Sequence, residues 1–471
     1  MTDGGTARDR RRPKAALFLF LCGWAGFAPH WLDPLRSHLP ALTLAVLLGG
    51  YGLRTVFLTP RGGRPAFGAA STAASTGSSS PFAPEDFPAV DVVVAARDEQ
   101  SVIRRLVEGI ATLRWPDGRL TLWVIDDGSE DSTPELLADL QHRLPFLRVL
   151  RRPREAGGGK SAALNLALEN LQGRWMLVLD ADADLPPDVL ERLIPHAESG
   201  GWAAVQLRKA VVNAHGNLLT RAQAMEMVFD AEVQEGRLAA GGVAELRGNG
   251  QLLRRDAVVS TGGFNESTVT DDLDLSFRFL LAGLPIGLLW DPPVREEAVR
   301  SLPALWRQRQ RWAEGGLQRF LDYWSGLVSG RLTRRQRLDL ACFFLLQYAL
   351  PVASAADLMA SLITRTSPTL WPLSVVGLGL SGAAIVRGCR RPSEGPDLPP
   401  TTPLMVALGT LYLVHWFLVI PWVTLRMALL PKRLVWAKTL HLGDQVVATE
   451  DPQEAPESDG ESELATGIGR F

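Results

Sequence analysis

Leu120-Thr121-Leu122-Trp123-Val124-Ile125-Asp126-Asp127-Gly128-Ser129 is the stretch from which the architecture can be read. Its apolar half has the composition of a strand, and the Asp-Gly turn after it sets Asp126 and Asp127 at the strand's carboxyl end. The same alternation continues in both directions. Upstream, Val90–Ala95 is another β-branched run, and Glu99–Leu113 has helical spacing. Downstream, Thr133-Pro134-Glu135 predicts a helix start, with a hydroxyl N-cap and proline at the first helical position. A strand at Leu147–Leu150, a glycine-rich loop, a helix over Ser161–Leu171 and a strand at Trp175–Leu179 complete a βαβαβαβ series. That order predicts an α/β fold, a mostly parallel sheet covered by helices, with ligands at the carboxyl ends of the strands.

The 471 residues exceed one ordinary domain, so a globular unit plus something else is expected. A net charge of -2 with 21% charged residues excludes the strongly basic face of a nucleic-acid binder. Cys22, Cys342 and Cys389 stand far apart, with no CxxC and no histidine cluster, which argues against zinc and against a disulfide framework. The additional part reads as membrane. Ala15–Leu32 and Ala41–Leu58 are apolar, with Arg8 to Lys14 before the first and Arg61 and Arg64 after the second. Basic outer flanks predict a transmembrane hairpin over residues 1–58 with both ends in the cytoplasm. A second apolar stretch directly after the first, and no obvious small-residue cleavage site, argue against a secretory signal peptide.

Residues 59–88, rich in Gly, Ala, Ser and Pro, read as a flexible linker to a cytoplasmic catalytic domain over 89–330. From 331 to 448 the chain turns apolar again, at Leu338–Ile363, Leu370–Val386 and Pro403–Leu425. Three crossings there would carry Lys432, Arg433 and Lys438 outside, so an even number is preferred, with one segment re-entrant, interfacial or counted twice. The acidic tail over 449–471 is expected to be disordered.

Five short motifs carry chemistry. Asp126-Asp127-Gly128-Ser129 is either a nucleotide-binding turn or an ordinary Asp-Gly turn before a helix cap. Gly157-Gly158-Gly159-Lys160-Ser161 fails the P-loop spacing, because Arg154 occupies the first required glycine. What remains is a loop whose Lys160 supports a diphosphate, or a plain turn. Asp180-Ala181-Asp182 ends a buried strand, and second-neighbour spacing on an extended backbone would put both carboxylates on one side. Such a pair suits magnesium or manganese shared with the donor's phosphates, acting as a Lewis acid on the leaving group. Asp184 and Asp188 are alternative ligands, although Asp188 also suits a helix start.

Thr270-Asp271-Asp272 is a helix N-terminus favoured by acids, or a site in which Asp272 is a general base and neighbouring Asp271 disfavours its ionisation. Gln308, Arg311 and Trp312 share one helical face, where an indole can stack on an acceptor and a guanidinium can hold a diphosphate. The alternative is a helix lying at the membrane surface, with Arg307, Arg309 and Arg311 on anionic lipid.

In this order and interval the five motifs resemble the membrane-bound family 2 glycosyltransferases with a GT-A, Rossmann-like fold, which include cellulose, hyaluronan and poly-N-acetylglucosamine synthases. The resemblance covers about residues 89 to 325. Arg247-Gly248-Asn249-Gly250-Gln251, Thr270 to Leu275, Arg311 to Gly316 and Leu321 to Trp324 look most like the cyanobacterial members that transfer glucose from UDP-glucose to 1,2-diacylglycerol. The resemblance implies uridine contacts from Asp126 or Asp127, metal and diphosphate contacts from Asp180 and Asp182, and the base role for Asp272. It also implies that Gln308, Arg311 and Trp312 surround the acceptor and the leaving diphosphate. Polysaccharide synthases of the family usually read Thr-Glu-Asp where this chain has Thr270-Asp271-Asp272. Trp436-Ala437-Lys438-Thr439 is similar to the family's cytoplasmic segment after the membrane, in line with an even crossing count.

The expected function is a single-addition, inverting glucosyltransferase acting on a lipid in the bilayer. Inversion follows if Asp272 serves one direct displacement. A processive polysaccharide synthase and a non-catalytic nucleotide-sensing membrane protein are the competing readings.

Overall fold

The computed structural model describes residues 11–58 and 87–431. Most of the linker, the flanking Arg8, Arg61 and Arg64, the residues Lys432, Arg433 and Lys438, the Trp436–Thr439 segment and the acidic tail lie outside the described residues. The chain opens with α1 (Arg11–Phe27), a short α2 (Pro34–Ser37) and α3 (Leu39–Leu53), which continues as a π-helical turn over Arg54–Leu58. The globular unit then runs β1 (Val90–Ala96), α4 (Ile103–Ala111), β2 (Leu120–Asp126), α5 (Thr133–Arg143), β3 (Leu147–Arg151), α6 (Gly159–Leu168) and β4 (Trp175–Leu179). It continues with α7 (Val189–Gly200), β5 (Ala204–Val211), α8 (Leu218–Ala239), β6 (Gln251–Arg254), α9 (Arg255–Ser260), α10 (Asp271–Leu281) and β7 (Ile286–Glu296). After α11 (Leu302–Leu327) come α12 (Arg334–Phe344), α13 (Leu350–Thr364), α14 (Trp371–Cys389), α15 (Pro403–Tyr412) and α16 (Trp416–Leu429).

The seven strands form one sheet in the order β3-β2-β1-β4-β6-β5-β7. The predicted parallel series holds from β1 to β4, and β7 lies parallel to β5. Only β6 runs antiparallel to its neighbours β4 and β5. Every residue of β1 is buried, as a central strand covered on both faces requires. Alternate residues serve opposite cores. Val92 and Val94 join Leu106, Leu137 and Leu193 under α4, α5 and α7. Val93 joins Leu164, Leu275 and Phe279 under α6 and α10.

The expected cap of α5 is corrected. Thr133 is already helical and Ser132 holds the N-cap position. The Thr133 hydroxyl instead accepts from the backbone N–H of Glu99 at 2.8 Å, satisfying a donor in the loop after β1.

Four helices among the described residues are long and apolar enough to cross a membrane: Leu39–Leu58, Arg334–Thr364, Trp371–Cys389 and Pro403–Leu429. The second is continuous through a π-helical turn at Leu345–Ala349 that joins α12 to α13. At 17 residues α1 is shorter, yet it lies along α13 and α16 with Ala15, Phe18 and Cys22 in their core. Leu17, Phe20, Val46, Leu47, Leu362 and Ile363 point outward from these helices, an apolar exterior that suits lipid and not water.

The helix ends sort into two levels. Arg11 of α1 is paired with Glu314 of α11, and Asp339 of α12 with Arg237 of α8, so both helices start at the globular unit. They finish together at a far end, where Nε2 of His30 meets Asp357 at 2.8 Å. There α3 and α14 begin, with His38 near the Thr369 carbonyl and the Leu370 N–H donating to Asp357. Both return to the globular unit, where Arg54 donates to the Ala240 carbonyl and Arg387 pairs with Glu232.

Helices α15 and α16 do otherwise. Tyr412 and Trp416 donate to Glu226 of α8, while Trp422 and Arg426 donate to Gln310 of α11. This segment is fastened to the globular unit at successive turns.

Candidate active site

The carboxyl ends of β1 and β4, the place where an α/β sheet binds ligands, open into a cavity of about 700 Å³. After β4 the chain turns at once, with the Ala183 N–H donating to the Asp180 carbonyl at 3.1 Å. Asp180 and Asp182 therefore sit in a turn and not on extended backbone, which corrects the geometry expected from their spacing. Both still reach the cavity. The Asp180 side chain is 41% exposed, whereas Asp182 is buried and one of its oxygens accepts from the Glu297 N–H at 3.1 Å. Asp184 clasps β7 through Arg295 at 2.9 Å, and Asp188 stands before α7 near Arg192, so neither joins the pair.

Across from Asp180, Nζ of Lys160 donates to its Oδ1 at 2.5 Å. Gly157, Gly158 and Gly159 all have positive φ (70°, 71° and 55°), the left-handed region that glycine enters without strain. The loop thereby brings Lys160 and the amino end of α6 to the cavity wall, where backbone N–H groups favour an anion.

Asp126 and Asp127 lie under this floor and not on the cavity wall, 1% and 3% exposed. Asp126 accepts from the Ser129 N–H at 2.9 Å and faces Arg151 at 3.2 Å. Asp127 is paired with Arg152 and lies 3.7 Å from Arg97; burial pushes its pKa up while the two arginines oppose the shift. The wall itself is built by Arg97, Asp98, Glu99 and Arg154. Sequence reading missed these, although Arg97-Asp98-Glu99 follows β1 just as Asp127-Gly128-Ser129 follows β2. Asp98 has φ of 56°, uncommon for a residue with a side chain, and its carboxylate accepts from the Glu130 N–H and from Arg154.

Asp271 and Asp272 occupy the first turn of α10, with Thr270 in the N-cap position. Both line the cavity and are half-buried. Burial first, and the charge of Asp271 second, raise the Asp272 pKa to about 6, against the pull of Lys160 and Arg247. Gly248 stands beside Asp272 with φ of 84°, the left-handed region that glycine enters without strain. Asp274 has a structural role, accepting from Arg278, Asn265 and Tyr323.

Gln308, Arg311 and Trp312 of α11 face the same cavity from the opposite wall. Nζ of Lys209 stands 5.8 Å from the centre of the Trp312 ring, and the Arg309 guanidinium lies 4.0 Å from it. Arg309 is fully buried, paired with Glu226 and 3.2 Å from the Tyr412 hydroxyl, so it does not reach lipid as the surface-helix reading expected. Of the other two arginines in that reading, Arg311 lines the cavity and Arg307 is exposed.

Among the described residues no three or more His, Cys, Asp or Glu side chains gather as a metal cage. Asp180 and Asp182 fit a cation that is completed by substrate phosphate and water, the mode usual for magnesium. Besides these carboxylates the same cavity is lined by Tyr348 and Arg319, by Tyr51 and Gly52 of α3, by Gly377 and Ser381 of α14, and by Phe417 of α16.

Residues 88–315 match the family described as glycosyltransferase like family 2. The chain is 44% identical over 377 residues to the β-monoglucosyldiacylglycerol synthase of Synechocystis sp., covering 79% of this chain and 78% of that one. It is 40% identical over 438 residues to the enzyme of the same name from Trichormus variabilis, covering 92% and 90%. Among solved structures it is similar to the mannosyltransferase PcManGT from Pyrobaculum calidifontis in complex with GDP-Man and Mn2+, with a TM-score of 0.56 and 18% identity over 87% of this chain and 99% of that one. At that identity the likeness is one of fold.

Proposed function

The chain belongs to the glycosyltransferase-like family 2, alongside the β-monoglucosyldiacylglycerol synthases, and from that premise we propose that it transfers glucose from UDP-glucose to 1,2-diacylglycerol with inversion. One observation carries the reading: a single cavity holds the carboxylates at one end and reaches the apolar helices at the other. A nucleotide sugar enters from water and a lipid from the bilayer, and their reacting atoms meet beside Asp272.

Asp272 takes the proton of the acceptor's free hydroxyl as that oxygen attacks the anomeric carbon. The bond from the sugar to the diphosphate breaks, and its electron pair leaves with UDP. Lys160, the amino end of α6 and Arg311 offset the charge that develops there. Asp180 and Asp182 would hold a divalent cation, magnesium or manganese, which when bound supplies further positive charge to the departing diphosphate. Asp271 keeps Asp272 poised, and Trp312 gives the acceptor a flat wall. Asp126 and Asp127 brace the floor against which the uridine lies.

We assign the globular unit to the cytoplasmic side, because basic residues mark the helix ends that face it: Arg11, Arg12 and Lys14 on α1, Arg54 after α3, Arg334 and Arg335 on α12, and Arg387 on α14. On this reading α1, α3, the α12–α13 rod and α14 make four crossings, and α15–α16 lies at the interface.

The test is to incubate purified protein in detergent with labelled UDP-glucose and diacylglycerol, then to separate extractable lipid from insoluble polymer. Mass spectrometry is expected to show monoglucosylated diacylglycerol carrying a β linkage. A ladder of longer saccharides, or an insoluble glucan without lipid product, would sink the reading in favour of a processive synthase.

A further inference from the structure

We infer that an acyl chain of the lipid acceptor is held in a slot along the cavity-facing side of α14, bounded by α3 and the α12–α13 rod, and that Gly377 keeps this slot open. The inference rests on the glycolipid reading above and names the part of the cavity that reads the lipid's tail. Helices α3 and α14 touch along one edge, where a Cβ on Gly49 would lie 3.2 Å from Val376 and one on Gly52 would meet Leu380 at 2.4 Å. At the same level, on another face of α14, the situation reverses. A Cβ on Gly377 would find nothing within 4 Å, and Ser374, Gly377, Leu378 and Ser381, on one face of α14, line the cavity. The serine hydroxyls do not make this face polar, since each donates back to a carbonyl of its own helix, at Leu370 and Gly377. From Ser374 to Ser381 the face spans roughly 10 Å along the helix.

Two π-helical turns adjoin the slot. Both neighbouring π-helical turns, Arg54–Leu58 after α3 and Leu345–Ala349 between α12 and α13, put residues on the cavity wall: Thr55 and Val56 from one, Leu346 and Tyr348 from the other. A π-turn carries an extra residue per turn and recurs at functional sites. Buried Arg319, which also lines the cavity, is held 3.1 Å from Glu245.

The experiment compares full-length protein in lipid nanodiscs with Gly377→Trp and Ser381→Leu variants, using two acceptors, 1,2-dioleoylglycerol and 1,2-dihexanoylglycerol. The ratio of kcat/KM for the long acceptor to that for the short one should fall at least about tenfold in Gly377→Trp, as methylenes lose their apolar site, and less in Ser381→Leu. Equal losses on both acceptors, or an unchanged ratio in two folded variants, would overturn the slot. Should Gly377→Trp fail to fold, the ratio in Ser381→Leu decides alone. Wild-type protein that glucosylates neither acceptor would instead overturn the glycolipid reading, a distinct outcome.

Discussion

In the proposed mechanism Asp272 concentrates the residue-scale chemistry, because the same surroundings that bury it would also suit it to act as a base. With its pKa raised to about 6, it is a carboxylate above that pH and protonated below it. Transfer is therefore expected to decline as pH falls through about 6, read as kcat/KM against pH. Asp271→Asn removes the second cause of the shift and should move this acid limb to lower pH. A limb that stays in place would count against the coupling. Asp272→Asn should leave UDP-glucose binding largely intact while transfer drops by roughly two to four orders of magnitude. Wild-type turnover in that variant would remove Asp272 from the mechanism. Asp182→Ala tests the cation: donor titration with and without magnesium should show weaker, less metal-responsive binding, because Asp180 is left as the sole carboxylate of the pair.

Among the elements, α11 is positioned by a buried charge beneath it. Arg309 lies under Trp312 and is tied to Glu226 of α8, which also accepts from Tyr412 and Trp416 of the α15–α16 segment. Removing one partner strands the other charge in a dry interior, an expected cost of about 3–5 kcal/mol. Glu226→Leu and Arg309→Met should each lower the melting temperature and raise the acceptor KM, while the double variant should be more stable than either single one. Strictly additive losses would mean that the pair does not act as a unit. At the same scale, Arg11 and Lys14 show how a basic flank is used. Besides marking a membrane edge, Arg11 is paired with Glu314, and Lys14 donates to the Leu321 carbonyl, so both dock α1 on α11.

For the whole molecule the proposed four crossings, with α15–α16 at the interface, can be tested by labelling. Pro403–Leu429 has the highest mean hydropathy of the four long helices, 1.9, yet where the others are tied to the globular unit at an end, it is fastened at successive turns to α8 and α11 through Tyr412, Trp416, Trp422 and Arg426. In a cysteine-free background, Thr366→Cys should react with an impermeant maleimide applied outside intact cells. Glu394→Cys and Leu430→Cys should react only after lysis. Outside labelling of Leu430→Cys would show that α15–α16 crosses after all and would return the count to an odd number.

Local pattern determined a great deal. Short apolar and β-branched runs alternating with helical spacing specified β1 to β4, and the carboxylates after β2 and β4 marked one edge of the sheet, because strand burial and turn chemistry are encoded within a few residues. The five motifs likewise announced Lys160, Asp180, Asp182, Asp272, Gln308, Arg311 and Trp312, all of which meet on one cavity. Tertiary structure decided what spacing cannot express. Asp126 and Asp127 became braces under the floor while Arg97 and Asp98 took the wall, since which of two adjacent strand ends faces a cleft depends on sheet twist and loop packing. Arg309 reads as a surface cation in sequence and is buried, because its partners Glu226 and Tyr412 lie 83 and 103 residues away. The fate of Pro403–Leu429 follows the same rule: hydropathy measures whether a helix tolerates lipid, and only its contacts decide whether it spans the bilayer or lies against the enzyme.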